Sequence, residues 1–177
     1  MAALSDYFER ATDVWAKWYE EEAVLLCGTL PLHQIARISH VGSTAAPGIL
    51  AKPIIDILVE LQPAADLNGI KKLLLQNGYR SISEEPRRIS LNKGYSEQGF
   101  AEKVFHLHLR FSGDNDELYF RDYLRDHPEI AQSYEALKSR LRDRYEHNRD
   151  AYTEDRTKFI TEYTQKARSG YGTRYGG

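Results

Sequence analysis

Two short stretches hold the residues best suited to chemistry. His40-Val41-Gly42-Ser43-Thr44 runs into a glycine turn, and Lys52-Pro53-Ile54-Ile55-Asp56-Ile57-Leu58-Val59 sets one carboxylate in an aliphatic run, with twelve residues between Ser43 and Asp56. Glycine lets a backbone approach a ligand closely, the Ser43 hydroxyl and the turn's amides suit a phosphate, and an acid at a strand edge can hold a divalent cation. Thr44 belongs to the same turn. Lys52, kept extended by Pro53, is either a phosphate contact or a surface lysine. An unpaired acid among aliphatics is costly to bury, so the structural alternative for Asp56 is a pair with Lys52, Arg37 or Arg110. Farther along, His106 and His108 are two residues apart in an alternating segment, which sends both imidazoles to one side of a strand. There they would complete a metal shell, act as general acid or base, or sit as satisfied rim histidines.

These residues need a sheet to bring them together. Ile35 to Val41, Pro53 to Leu61, Ile89 to Leu91 and Lys103 to Phe111 read as strands, and the second, with its nearly continuous apolar run, reads as central and buried. Gly42 to Ala51 reads as a loop or a distorted helical turn. Helical spacing predicts a helix from Tyr7 to Leu26, started by Ser5 and stopped by Gly28 and Pro31, and another from Ala64 to Gln76 ended at Asn77-Gly78. From Asp116 the pattern is helical, broken at His127-Pro128, with apolar stripes at Ile130, Tyr134, Leu137, Leu141 and Tyr145 and then at Tyr152, Phe159, Ile160 and Tyr163. The expected class is α+β: a mixed sheet packed by helices, with a helical C-terminal third. Residues 1–168 read as one domain and 169–177, rich in glycine and tyrosine, as a flexible tail.

Composition narrows the classes of function. With 24 basic and 26 acidic side chains, a net charge of −2 and no long block of either sign, the chain lacks a general nucleic-acid or membrane surface, while a local phosphate site stays open. The only cysteine, Cys27, excludes an intrachain disulfide, points to a reducing compartment and falls in an apolar helical pattern expected in the core. No apolar run approaches the roughly 20 residues of a membrane span, so a cytoplasmic protein is expected.

The apolar-Gly-Ser turn followed about a dozen residues later by apolar-Asp-apolar resembles the signature of DNA-polymerase-β-like nucleotidyltransferases. The fuller strings His40 to Pro47 and Lys52 to Val59, with Phe105-His106-Leu107-His108-Leu109 and Phe120-Arg121-Asp122-Tyr123-Leu124-Arg125-Asp126-His127-Pro128, are similar to the GrpB-like branch. The resemblance implies nucleotidyl transfer from an NTP to an acceptor, phosphates at Gly42, Ser43, Thr44 and Lys52, and a divalent metal, Mg²⁺ or Mn²⁺, at Asp56 helped by His106 and His108. The implied partner is a nucleotide or another phosphate-bearing small molecule. The signature's second acid, two residues after the first, is here Leu58. A two-metal site needs several carboxylates to hold cations roughly 3.5–4 Å apart. The missing acid is supplied by Glu60, by the two histidines, or not at all, and the last case implies a non-catalytic module that binds a nucleotide or phosphometabolite.

Overall fold

A computed structural model describes residues 9–10, 13–96, 99–145 and 149–176. The elements run β1 (Glu9–Arg10), α1 (Asp13–Thr29), β2 (Ile35–Val41), β3 (Leu50–Ala51), β4 (Ile54–Leu61), α2 (Leu67–Gln76), β5 (Arg80–Glu85), β6 (Arg88–Ser96), β7 (Gly99–Phe111), α3 (Asp116–Asp126), α4 (Pro128–Arg144) and α5 (Arg149–Tyr171). Five strands form a mixed sheet in the order β2-β4-β7-β6-β5, in which β4 and β7 are parallel and the other neighbours antiparallel. β1 and β3 pair separately. This is the expected α+β class with a helical C-terminal third.

The two faces of the sheet differ because side chains alternate along each strand. Ile55, Ile57, Val59 and Leu61 of β4 join Phe105, Leu107, Leu109 and Phe111 of β7 and pack against Trp15 and Leu26 of α1 and Ile70 and Leu74 of α2. The opposite face carries Asp56, Leu58 and Glu60 on β4 beside His106, His108 and Arg110 on β7, in register pair by pair. Of these, Leu58 is sealed with Val41 beneath Leu118 of α3, and Tyr175 packs at the margin. The segment after the Gly42-Ser43 turn sends Ala46 and Ile49 into a further apolar cluster with Phe120, Leu124, Ala131 and Tyr134. The turn is thereby fixed between the sheet and the C-terminal helices.

Several expectations are corrected. The first helix begins at Asp13, and Glu9–Arg10 instead pairs with β3; Ser5, Tyr7, Phe8 and Ala11 lie outside the described residues. Cys27 is exposed, because α1 buries the face of Trp15, Glu22 and Leu26, and one residue beyond Leu26 turns about 100° away from it. β4 is internal, but β7 holds the middle of the sheet. α2 starts at Leu67 rather than Ala64, since the Asp66 side chain accepts the Gly69 amide at 3.0 Å and caps it there. The 169–177 segment is not a free tail over its described length. α5 continues to Tyr171, Tyr119 donates to the Gly172 carbonyl at 2.9 Å, and the Tyr175 hydroxyl donates to Asp122.

Candidate functional site

Asp56 stands at the start of β4, directly against the turn. Val41 is its partner in β2, and Gly42 follows with φ 75° and ψ −171°. A Cβ at Gly42 would lie 2.3 Å from Asp56 Oδ2, so the missing side chain makes the room the carboxylate occupies. On its other side, Oδ1 lies 3.5 Å from His106 Nδ1 and 3.6 Å from His108 Nε2. These are ion-pair separations, longer than a well-formed hydrogen bond. The three side chains are 27, 30 and 25% exposed, so each is partly open to solvent on the same face of the sheet. Burial raises the Asp56 carboxyl, but the two imidazoles outweigh it and hold the group below the ordinary carboxylate range. Of the cations expected to pair with Asp56, two are engaged elsewhere: Arg37 pairs with Glu60 at 3.1 Å, and Arg110 donates to the carbonyls of Ile89 and Leu109.

Ser43 and Thr44 open a short 3₁₀ turn, Ser43–Ala45. Thr44 is buried, and its hydroxyl is used inward, donating to the Ile54 carbonyl at 3.1 Å. A hydroxyl has one proton, so the 3.0 Å contact with His40 Nε2 makes the imidazole the donor there. The Thr44 side chain therefore braces the turn from below. Lys52 is half-buried between β3 and β4, with its carbonyl accepting the Ile54 amide. Ser43 is different. Its Oγ accepts from Lys138 Nζ at 3.2 Å, and the same ammonium donates to the Leu50 carbonyl at 2.6 Å.

Lys138, His40 and Tyr95 carry no assigned role in the sequence pattern, yet each touches this region. Lys138 is only 6% exposed, and burial pushes its ammonium down to about 8, with Glu135 opposing and nearby Arg156 assisting. Arg156 Nε is itself buried with no hydrogen-bond partner. A signal existed: Tyr134, Lys138 and Leu141 stand at i, i+4 and i+7, which puts a lysine on the buried stripe of α4. Arg121 and Arg125 brace the domain, donating to the carbonyls of His40 and Ala45. Arg88 pairs with Asp114 and Lys93 with Glu22.

His40 stacks on Tyr19, with ring centroids 4.8 Å apart, and desolvation, aided by Arg125 and Arg121 and opposed by Asp56, pushes it from 6.5 down to about 4. Between those values the unfolded chain binds a proton that the folded one does not. Stability is therefore lost as pH falls from about 6.5 to about 4, by on the order of 3 kcal/mol. Urea denaturation at pH 7 and pH 4.5 should show that loss, and His40→Gln should remove most of it; an equal loss in the variant would assign it to another group.

The donor set does not fit a resident pair of magnesium ions. Leu58 occupies the second acid's position and is fully buried, and Glu60 is taken by Arg37 and by Asn115 Nδ2 at 2.9 Å. Among the described residues no group of three or more His, Cys, Asp or Glu side chains is arranged to hold a metal ion. Arg110 has only donors and its Nη2 faces His108 Nδ1 at 3.5 Å, so the proton of a neutral His108 lies on Nε2, toward Asp56.

This sheet with its flanking helices is shared with the Cid1 poly(U) polymerase in its MgGTP-bound structure, at a TM-score of 0.50 and 14% identity, over 82% of this chain and 47% of that one. At that identity the likeness concerns the fold alone. Residues 8–166 match the GrpB protein family. The crystal structure of the conserved protein GrpB from Enterococcus faecalis superposes with a TM-score of 0.78 and 28% identity, covering 93% of this chain and 99% of that chain. A UPF0157 protein of Pseudomonas aeruginosa is 35% identical over 160 residues, 89% of this chain, and the chain spans 65% of that relative's length. The chain belongs to the GrpB family. No helix among the described residues is long and apolar enough to cross a membrane.

Proposed function

We propose that this chain binds a nucleoside triphosphate in the cleft between the Gly42-Ser43 turn and the C-terminal helices, and transfers its nucleotidyl group to an acceptor hydroxyl. The observation that carries the reading is the buried Lys138 ammonium on Ser43 Oγ, beside an Arg156 whose Nε has no hydrogen-bond partner. A cation kept at a Gly-Ser turn at a cost in desolvation suits the terminal phosphates. Asp56, one face against the turn, would meet the Mg²⁺ or Mn²⁺ that enters with the nucleotide as part of the substrate. His106 is placed to take a proton. The apolar burial of Leu58 favours a second reading, a module that binds the nucleotide or another phosphate-bearing metabolite without transferring it.

Lys138→Met separates these roles from folding. Removing a buried cation should leave stability within about 1 kcal/mol of wild type, while loss of a charge-assisted phosphate contact should weaken nucleotide binding about tenfold or more. Asp56→Asn should abolish pyrophosphate release and alter nucleotide affinity less. Calorimetric titration with each Mg·NTP, alongside a pyrophosphate assay with a pool of acceptors, measures both. Absence of saturable nucleotide or phosphometabolite binding sinks both readings; binding with no pyrophosphate above the Asp56→Asn level leaves only the second.

A further inference from the structure

β6 contains a device that has no part in holding the phosphates. Asn92 faces His106 across the β6–β7 ladder, and in an uninterrupted strand Tyr95, three positions later, would point to the opposite face of the sheet. The register shifts between Lys93 and Tyr95, at Gly94 with φ 93°. Between the pairs Lys93–Phe105 and Tyr95–Phe100 one residue of β6 stands against four of β7, and at this irregularity Tyr95 turns to the face that carries His106. The glycine is needed for this, because a Cβ there would lie 2.3 Å from the Lys103 carbonyl oxygen, a backbone atom that cannot rotate away as the end of a side chain can.

Re-aimed, the Tyr95 hydroxyl lies 2.7 Å from His106 Nε2, its ring stacked on the imidazole at 5.8 Å with 14° between planes. The other imidazole nitrogen, Nδ1, faces Asp56 Oδ1 at 3.5 Å. An ionised carboxylate only accepts, so in neutral His106 the proton sits on Nδ1 and the Nε2 lone pair receives the tyrosine O–H. Carboxylate, imidazole and hydroxyl thus stand in the order of an orienting acid, a base and a nucleophile, a geometry often loose before substrate binds. Asp56 joins this relay to the phosphate turn: Oδ2 abuts Gly42, and Oδ1 faces His106.

We propose that Tyr95 is an acceptor hydroxyl of the site, so that the protein nucleotidylates itself. The inference rests on the nucleotide-transfer reading. In the step, a bond forms between Tyr95 Oη and the α-phosphorus of the NTP as the bond from that phosphorus to the pyrophosphate oxygen breaks. The tyrosine proton passes to His106 Nε2, pyrophosphate leaves, and nothing is oxidised or reduced. The product is a phosphodiester between tyrosine and nucleoside.

The test incubates the full chain with Mg²⁺ or Mn²⁺ and each NTP, labelled in turn on the α- and the γ-phosphate, followed by intact mass and peptide mapping. The expected result is one nucleoside monophosphate added per chain, from the α-label only, on the peptide holding Tyr95. Tyr95→Phe, checked for folding by its thermal melt, should lose that label completely. Saturable NTP binding by wild type with no label on Tyr95 overturns the inference and leaves the binding reading standing. Label elsewhere that persists undiminished in Tyr95→Phe overturns it while transfer survives, γ-label on Tyr95 would make the reaction phosphorylation and overturn it too, and no NTP binding at all removes both.

Discussion

Alanine at position 42 should destabilise the protein and silence the site together. Gly42 holds φ 75° and ψ −171°, a region in which residues with a side chain are strained by about 1–3 kcal/mol. The added methyl would also meet Asp56 at Oδ2, Cγ and Cβ, at 2.3, 2.9 and 3.0 Å. The carboxylate end can rotate away, but Cβ is one bond from a backbone held in register with Val41. Asp56 therefore swings out of line with His106 and His108. The expected result is a urea unfolding free energy lower by about 1–3 kcal/mol and pyrophosphate release reduced to the Asp56→Asn level. Adding Asp56→Asn to Gly42→Ala should change turnover little further, since the carboxylate is already displaced. If the two losses instead multiply, the carboxylate has stayed in place and the close contact is not what the glycine provides.

The parts of this site set by period-two alternation are legible in the sequence. His106 and His108 have to share a strand face, and the apolar run around Asp56 has to be an internal strand; parallel pairing of β4 with β7 then sets Asp56 opposite His106 and Leu58 opposite His108. What the sequence hides depends on contacts between distant residues. Lys138 reaches Ser43 across 95 residues, and nothing near either residue announces the other. The aim of Tyr95 depends on the register shift between Lys93 and Tyr95, and alternation read without that shift assigns the tyrosine to the wrong face. Cys27 misleads for the reverse reason: Val24, Leu25 and Cys27 extend the apolar pattern of α1 on a face that nothing in the described fold covers. The C-terminal turn has the composition of a free tail, and Gly172 to Gly176 is instead held by tyrosine and arginine bonds to Asp122 and to Tyr119.

Leu58→Asp restores the second acid of the two-metal signature, and the structure predicts that it damages the protein instead. Leu58 is 0% exposed, and Val41 and Leu118 pack on it, so the new carboxyl would enter an apolar cluster and not the cleft that Asp56 faces. Loss of the leucine's packing costs about 2–5 kcal/mol, and an unpaired buried carboxylate adds to that several kcal/mol or takes up a proton to avoid it. Its folded-state pKa would then exceed the unfolded value near 3.9, so the folded chain binds more protons and the variant loses stability as pH rises. Measured against Leu58→Asn, which is nearly isosteric and does not titrate, Leu58→Asp should be closest in stability near pH 4 and fall progressively behind by pH 8. Mg²⁺ affinity should not rise. A variant as stable as wild type with tighter Mg²⁺ binding would mean that position 58 faces the cleft after all, and that a leucine at the second acid's place, not the fold, is what keeps a metal pair from this site.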